Sequence, residues 1–341
     1  MTRRYVVIGA GGVGAALAAG LVEAGVPVLL VSRGRSFEAI AAHGIRFSHE
    51  GRTRVLDLPV ADSAVDIPLA PDDVLVLAVK TQDVAAAVPG WAARPVGDGA
   101  LAGETLPIVT LQNGLEAERV ALRHFASVVG GTTLVAAQHL VPGEVTVRGG
   151  PELGRIILGA FPSAERAPRA AAEVAGIAAD LRAARWLIHE TGDVSRWKAW
   201  KAATAATFAA EVFTGTPEQQ EELRDLVRTE ARDVLSAAGY DLADPAELGG
   251  APFSPPPSPE GPAETSARSD PAPQGLSTWQ SFARGSGSEV DFLSGEIVLQ
   301  ARLLGIPAPV NEAVQRALAE AAASGEGPGV RSVASVLGVR A

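Results

Sequence analysis

The chain has 341 residues, 47% hydrophobic and 20% charged, enough for two domains with sizeable cores. Its net charge of −10, from 29 basic and 39 acidic residues, and the absence of a basic run with interleaved aromatics disfavour nucleic acid as a partner. With no cysteine there is neither a disulfide nor a thiolate metal site, and the five histidines form no metal-spaced cluster, so no metal is assigned.

The N-terminus, MTRR before an apolar run, imitates a signal peptide. Five glycines and then Glu23 make it a poor one, and a strand, a turn and a helix explain it better. No uninterrupted apolar stretch reaches transmembrane length, so the chain is read as cytoplasmic, without a membrane partner.

In chain order, YVVI at 5–8 is a short apolar strand, followed by GAGGVG at 9–14, an Ala/Leu helix to about Glu23, Gly25 as its cap and PVLLV at 27–31 as a second buried strand. Further runs at 73–79, 106–111 and 127–132 alternate with helical patterns, which implies a doubly wound parallel sheet of the Rossmann type. EVTVR at 144–148 and GRIILGA at 154–160 read as antiparallel strands near the domain's end, and RWLIHE at 185–190 as its last strand. Past residue 191 helices take over, at 193–213, 217–238, about 277–304 and 309–323. The expectation is therefore an α/β domain over residues 1–190 and an all-helical second domain over 191–341. Within the latter, residues 249–275 hold eight prolines and few apolar residues, which suits a mobile loop, either an insertion or a lid.

Gly9, Gly11 and Gly14 fit G-x-G-x-x-G, with Gly12 in the same turn, after a strand and opening a helix, where a dinucleotide's pyrophosphate meets free N–H groups. The second strand ends in Ser32 and Arg33 rather than in a carboxylate for a ribose hydroxyl. A hydroxyl and a guanidinium suit a 2′-phosphate, which points to NADP(H) over NAD, with FAD left open by the glycine pattern alone. Lys80 in VKTQD and Asn113 in LQNG stand just past strand ends, where such sheets bind ligands, and are candidates for ribose or substrate. In SRWKAWKAATAATFAAEVF, Lys198 and Lys201 lie three apart on a helix, either as solvated lysines or with one of them doing chemistry. His139 and His189 read as structural.

The ordered set GAGGVG, SR, VKTQD, LQNG, GTTLVAA, the Trp/Lys helix and SEVDFLSGEIV…LGIPAPVN resembles the ketopantoate reductase family along nearly the whole chain, the proline-rich segment excepted. The resemblance implies reduction of 2-dehydropantoate to pantoate with NADPH, in a cleft between a Rossmann domain and a helical one. It implies phosphate-binding glycines at Gly9, Gly11 and Gly14, a 2′-phosphate arginine at Arg33 and a backbone cofactor contact at Ala137. Lys80 and Asn113 take the family's strand-end positions. It implies a catalytic lysine at Lys201, with Lys198 the alternative, a substrate-binding serine at Ser277 and a glutamate at Glu289 that orients the lysine or bonds the cofactor ribose. A lysine suits the chemistry, because reduction of a ketone puts negative charge on its oxygen and an ammonium both stabilises that charge and donates a proton.

The chain departs from the family at the substrate. The asparagines expected four and eight residues after the lysine are Ala205 and Ala209, and the aspartate after S-M-x-Q is Ser281. Thr204 or Thr207 are the hydroxyls left to replace them. The expectation is an NADPH-dependent reductase of a 2-oxo acid or related ketone, ketopantoate or something less polar. The alternatives are an NADP(H)-binding sensor without turnover and another two-domain hydroxy-acid dehydrogenase. The apolar helices of the second domain fit a homodimer and packing within one chain equally.

Overall fold

A computed structural model of the protein describes residues 3–62, 67–97, 99–249 and 275–338. The proline-rich segment expected to form a loop or lid therefore falls almost wholly outside the described residues.

Eight strands form one sheet, in the order Trp186–Glu190, Gly154–Ala160, Ser127–Leu134, Pro107–Thr110, Asp73–Leu77, Arg4–Ile8, Val28–Val31, Val60–Ala61. All neighbours are parallel except Gly154–Ala160 against Ser127–Leu134. Both faces are covered, which is why the strands read as continuous apolar runs. Tyr5 and Val7 pack into one core with Leu17 and Ile177, while Val6 and Ile8 pack into another with Val84 and Val88. From Arg4–Ile8 the chain first builds outward to Val28–Val31 and later returns to lay Asp73–Leu77 on the opposite side. The loops leaving the carboxyl ends of those two neighbours diverge and open a crevice, the switch point at which such sheets bind ligands.

Glu144–Arg148 does not join the main sheet. It belongs to a second sheet of four strands, antiparallel to Ala136–Gln138 and parallel to Ile45–His49, which pairs in turn with Arg52–Leu56. The hairpin Ile45–Leu56 went unread because its turn is Glu50-Gly51, both with positive φ (50° and 70°). A two-residue turn of that hand matches the strand twist, but Glu is a rare choice for its first position.

After Glu190 the fold is helical. Val194–Ala206 continues as a 3-10 turn over Thr207–Val212, followed by Pro217–Ala237, Ser277–Ala283, Ser294–Leu304 and Pro309–Ala323. Thr216 caps Pro217–Ala237 by accepting from Gln219 N, with Gln219 reciprocating. The single helix expected over 277–304 is broken, since the Gly285–Gly287 stretch ends the first piece, with Gly285 at φ 62°. Val333–Leu337 adds a short terminal helix. No helix among the described residues is long and apolar enough to cross a membrane.

Candidate active site

A cleft of about 1130 Å³ runs from the glycine turn to the helical half. Gly9, with φ 115°, turns so tightly under the next strand that a Cβ there would lie 2.8 Å from the Ala78 carbonyl. At Gly14 a Cβ would lie 1.9 Å from Gly9 O, so this residue lets the helix sit on the strand and does not itself line the cleft. Gly11 differs. Its backbone is extended (φ −75°, ψ −173°) and a Cβ would meet nothing within 4 Å. The fold does not need glycine there, whereas a ligand lying against the backbone does. With the N-terminus of Gly12–Glu23 opening onto the same wall and Gly12 facing Ala137, the turn fits a dinucleotide's pyrophosphate.

Ser32 and Arg33 line the same cleft, and Arg33 is 83% exposed. The absence of carboxylates at the strand end does not hold in three dimensions. Asp62 and Asp83 line this wall too, and Arg33 donates to Asp83 Oδ1 at 3.3 Å.

Lys80 and Glu289 form an ion pair across the two halves. Glu289 is buried and also accepts from Thr81 N and Thr81 Oγ1, both at 3.0 Å. Burial opposes its ionisation, but the Lys80 charge and the bonds from Lys80 and Thr81 outweigh that and hold it below the usual carboxylate range. Asn113 lines the cleft next to this knot, and its carbonyl accepts from Thr81 Oγ1 at 3.2 Å.

The two lysines separate cleanly. Lys198 is 2% exposed, lies 2.9 Å from Glu118 Oε1 and donates to the carbonyls of Gln112 and Gly131. Glu118 in turn accepts from Thr110 Oγ1 at 2.6 Å. Lys198 is thus a saturated buried cation that ties the helix Val194–Ala206 to the sheet. Lys201, one turn on, is 6% exposed, lines the cleft and makes no hydrogen bond among the described residues. Its ammonium lies 4.9 Å from the centre of the Phe208 ring. Burial, and secondarily the charge of Lys198, push its pKa down from 10.5 to about 8.

Residues 5–163 match Ketopantoate reductase PanE/ApbA, and residues 195–322 match Ketopantoate reductase PanE/ApbA C terminal. The chain belongs to the ketopantoate reductase family. That makes it an oxidoreductase of the CH–OH class by family. Among solved structures it is similar to the PanE/ApbA family ketopantoate reductase of Ralstonia eutropha JMP134, at 22% identity and TM-score 0.71 over 94% of this chain and 99% of that one. It is similar also to 2-dehydropantoate 2-reductase of Methylococcus capsulatus, at 22% and 0.68 over 94% and 97%. D-mandelate dehydrogenase, in a ternary structure with NADH and anilino(oxo)acetate, matches at 17% and 0.73 over 94% and 99%. At such identities these likenesses are of fold.

Against the family pattern, the helical wall holds surprises. Thr204 does not line the cleft, because its hydroxyl donates to Trp200 O at 3.0 Å. Thr207 likewise turns inward and donates to Thr204 O at 2.7 Å. Ala205 and Ala209 are buried away from the cleft. The two threonines are short side chains that satisfy their own helix, as such residues do within helices. The residues that reach the cleft are Phe208 and Glu211, three apart on the 3-10 turn, where that spacing eclipses side chains. Ser277 lines the cleft, and its Oγ is buried with no hydrogen bond among the described residues.

Gln280 and Arg284 were missed by sequence reasoning. Gln280 donates to Ala137 O and accepts from His139 N, each at 3.3 Å, and Arg284 donates to His139 O. They clip the second sheet to the helical half at the mouth of the cleft. The signal was present, since Ser277, Gln280 and Arg284 repeat at helical spacing in LSTWQSFAR. His139 lines the cleft, and its ring Nδ1 lies 2.9 Å from Glu144 O.

Proposed function

We propose that the protein reduces a 2-oxo acid to the 2-hydroxy acid with NADPH, and that Lys201 is the proton donor. The observation that carries this reading is the state of Lys201: a buried ammonium in the wall of the cleft opened by the glycine turn, with no acceptor among the described residues and a pKa of about 8. A donor is most effective when its pKa lies near working pH and when nothing else holds its proton.

The chemistry that NADPH supplies when bound is hydride donation to the carbonyl carbon. The glycine turn and the helix behind it would hold the pyrophosphate and Ser32 and Arg33 would take the 2′-phosphate, with the Ala137 backbone bordering the same chamber. As the substrate oxygen gains charge, Lys201 Nζ donates a hydrogen bond and then its proton. It is left as a neutral amine, the form that burial favours. Glu289 keeps Lys80 and Thr81 in place beside Asn113. Ser277 Oγ and the Asn113 side chain are the groups that receive the substrate carboxylate.

NADPH oxidation across a panel of 2-oxo acids tests the reading. Turnover with at least one is expected, together with a loss of about 10²–10⁴-fold on Lys201→Ala while NADPH still binds. Cofactor binding without turnover on any member would favour a sensor.

A further inference from the structure

The wall that meets the substrate is not the amide-lined wall of the family pattern. Phe208 stands seven residues after Lys201, two turns along the same face, and its ring covers the ammonium at 4.9 Å. The alanines that replace the asparagines are buried elsewhere, and Thr204 and Thr207 spend their hydroxyls on the helix. Leu276 lines the same chamber. Glu211 and Arg224 line the chamber as well. Both are already engaged: Glu211 Oε2 accepts from Leu276 N at 2.7 Å, and Arg224 pairs with Glu221 at 3.0 Å. Glu211 thus sets a carboxylate in the lining while Arg224 beside it is already paired with Glu221 on its own helix, which is unfavourable to a second acid group there.

On the reading that this cleft reduces 2-oxo acids, we infer that the substrate is a monocarboxylic 2-oxo acid bearing a ring or branched apolar group next to its carbonyl, and that Phe208 selects it. The ring does two things at once. It holds the Lys201 ammonium by its π-face without tying it to a hydrogen-bond acceptor, so an N–H remains for the substrate oxygen. It also gives an apolar substituent a surface to pack on and gives a hydroxyl no partner. Burying a hydroxyl there leaves it unbonded, and a hydrophobic wall discriminates against such a group by about a hundred-fold at most. Dicarboxylic oxo acids are turned away by the Glu211 carboxylate in the lining.

The test compares kcat/KM for phenylglyoxylate, 2-oxoisovalerate, ketopantoate and 2-oxoglutarate with NADPH, in the full-length protein and in Phe208→Asn and Phe208→Leu. The two apolar substrates should exceed ketopantoate by about ten- to a hundred-fold, with 2-oxoglutarate last. Phe208→Asn should collapse or invert the ratio of phenylglyoxylate to ketopantoate, and Phe208→Leu should largely keep it, whatever either variant does to absolute rate. Preference for ketopantoate in the parent protein, or a ratio unmoved by Phe208→Asn, overturns the inference and leaves the reductase reading standing. Silence with every substrate removes the reductase reading instead. Calorimetric titration of the NADPH-loaded protein with phenylglyoxylate and with ketopantoate then decides the wall's preference by itself, tighter phenylglyoxylate binding supporting it and the reverse overturning it.

Discussion

Lys198 and Lys201 are the same residue type one turn apart, and their surroundings give them opposite roles. Lys198 is surrounded by acceptors, so removing its charge strands Glu118 in the interior. Lys198→Met is expected to cost about 3–5 kcal/mol in urea denaturation, and adding Glu118→Gln should recover a substantial part, because the penalty is an unpaired buried charge. Lys201 is buried beside the Phe208 ring and near a second cation, Lys198, and its pKa of about 8 sets the pH profile. As the proposed donor it must be protonated, so kcat for reduction should hold below about pH 8 and fall above it, while oxidation of the hydroxy acid should rise through the same pH. The stability effect runs the other way. Its folded pKa lies below the ordinary 10.5, so the unfolded chain binds more protons between the two values. The burden of burying this ammonium is full below about pH 8 and lifts towards pH 10.5, and the stability rise over that window should vanish in Lys201→Met.

Each element presents a function at its end and packing along its length. The turn between Arg4–Ile8 and Gly12–Glu23 shows the division within six residues. Gly14 is there for helix–strand contact, so Gly14→Ala should destabilise the protein markedly, its Cβ having no room beside Gly9 O. Gly11 has open space and ordinary backbone angles, so Gly11→Val should leave thermal stability within about 0.5 kcal/mol, yet cut NADPH affinity sharply in a fluorescence titration. Equal loss of stability in both variants would count against a pyrophosphate at Gly11. The Trp/Lys helix divides similarly. Its first three turns are α-helical and bury alanines, and Phe208 and Glu211, on the 3-10 turn that follows Ala206, line the cleft with Lys201.

At the scale of the whole molecule, the cleft exists because separate segments converge on it. Arg33, Asp62 and Asp83 come from three segments, and Glu289 reaches Lys80 and Thr81 from more than two hundred positions away. This makes cofactor choice a tertiary property. NADPH should raise the melting temperature more than NADH at equal concentration, and Arg33→Ala should abolish the difference, since charge-assisted bonds to a phosphate contribute about 1.5–3 kcal/mol. Asp83→Asn should widen the difference, because it releases Arg33 from its intramolecular partner. An Arg33→Ala variant that still distinguishes the two cofactors would move the 2′-phosphate elsewhere.

The amino-acid order alone determined the doubly wound sheet, the glycine turn, the strand-end residues Lys80 and Asn113 and the helix carrying the lysines. These are local matters: apolar runs, periodicity and turn residues act over ten or twenty positions. It did not determine the Glu50-Gly51 hairpin, the second sheet, or the breaks at Ala206 and Gly285. Nor did it decide which lysine is spent on structure, which of Thr204, Phe208 and Glu211 lines the cleft, or that Asp83 shares the wall with Arg33. Those depend on acceptors and carboxylates brought from distant segments. Only the folded chain sets which groups lie within hydrogen-bonding distance, and desolvation acts on a lysine only after the protein has closed around it.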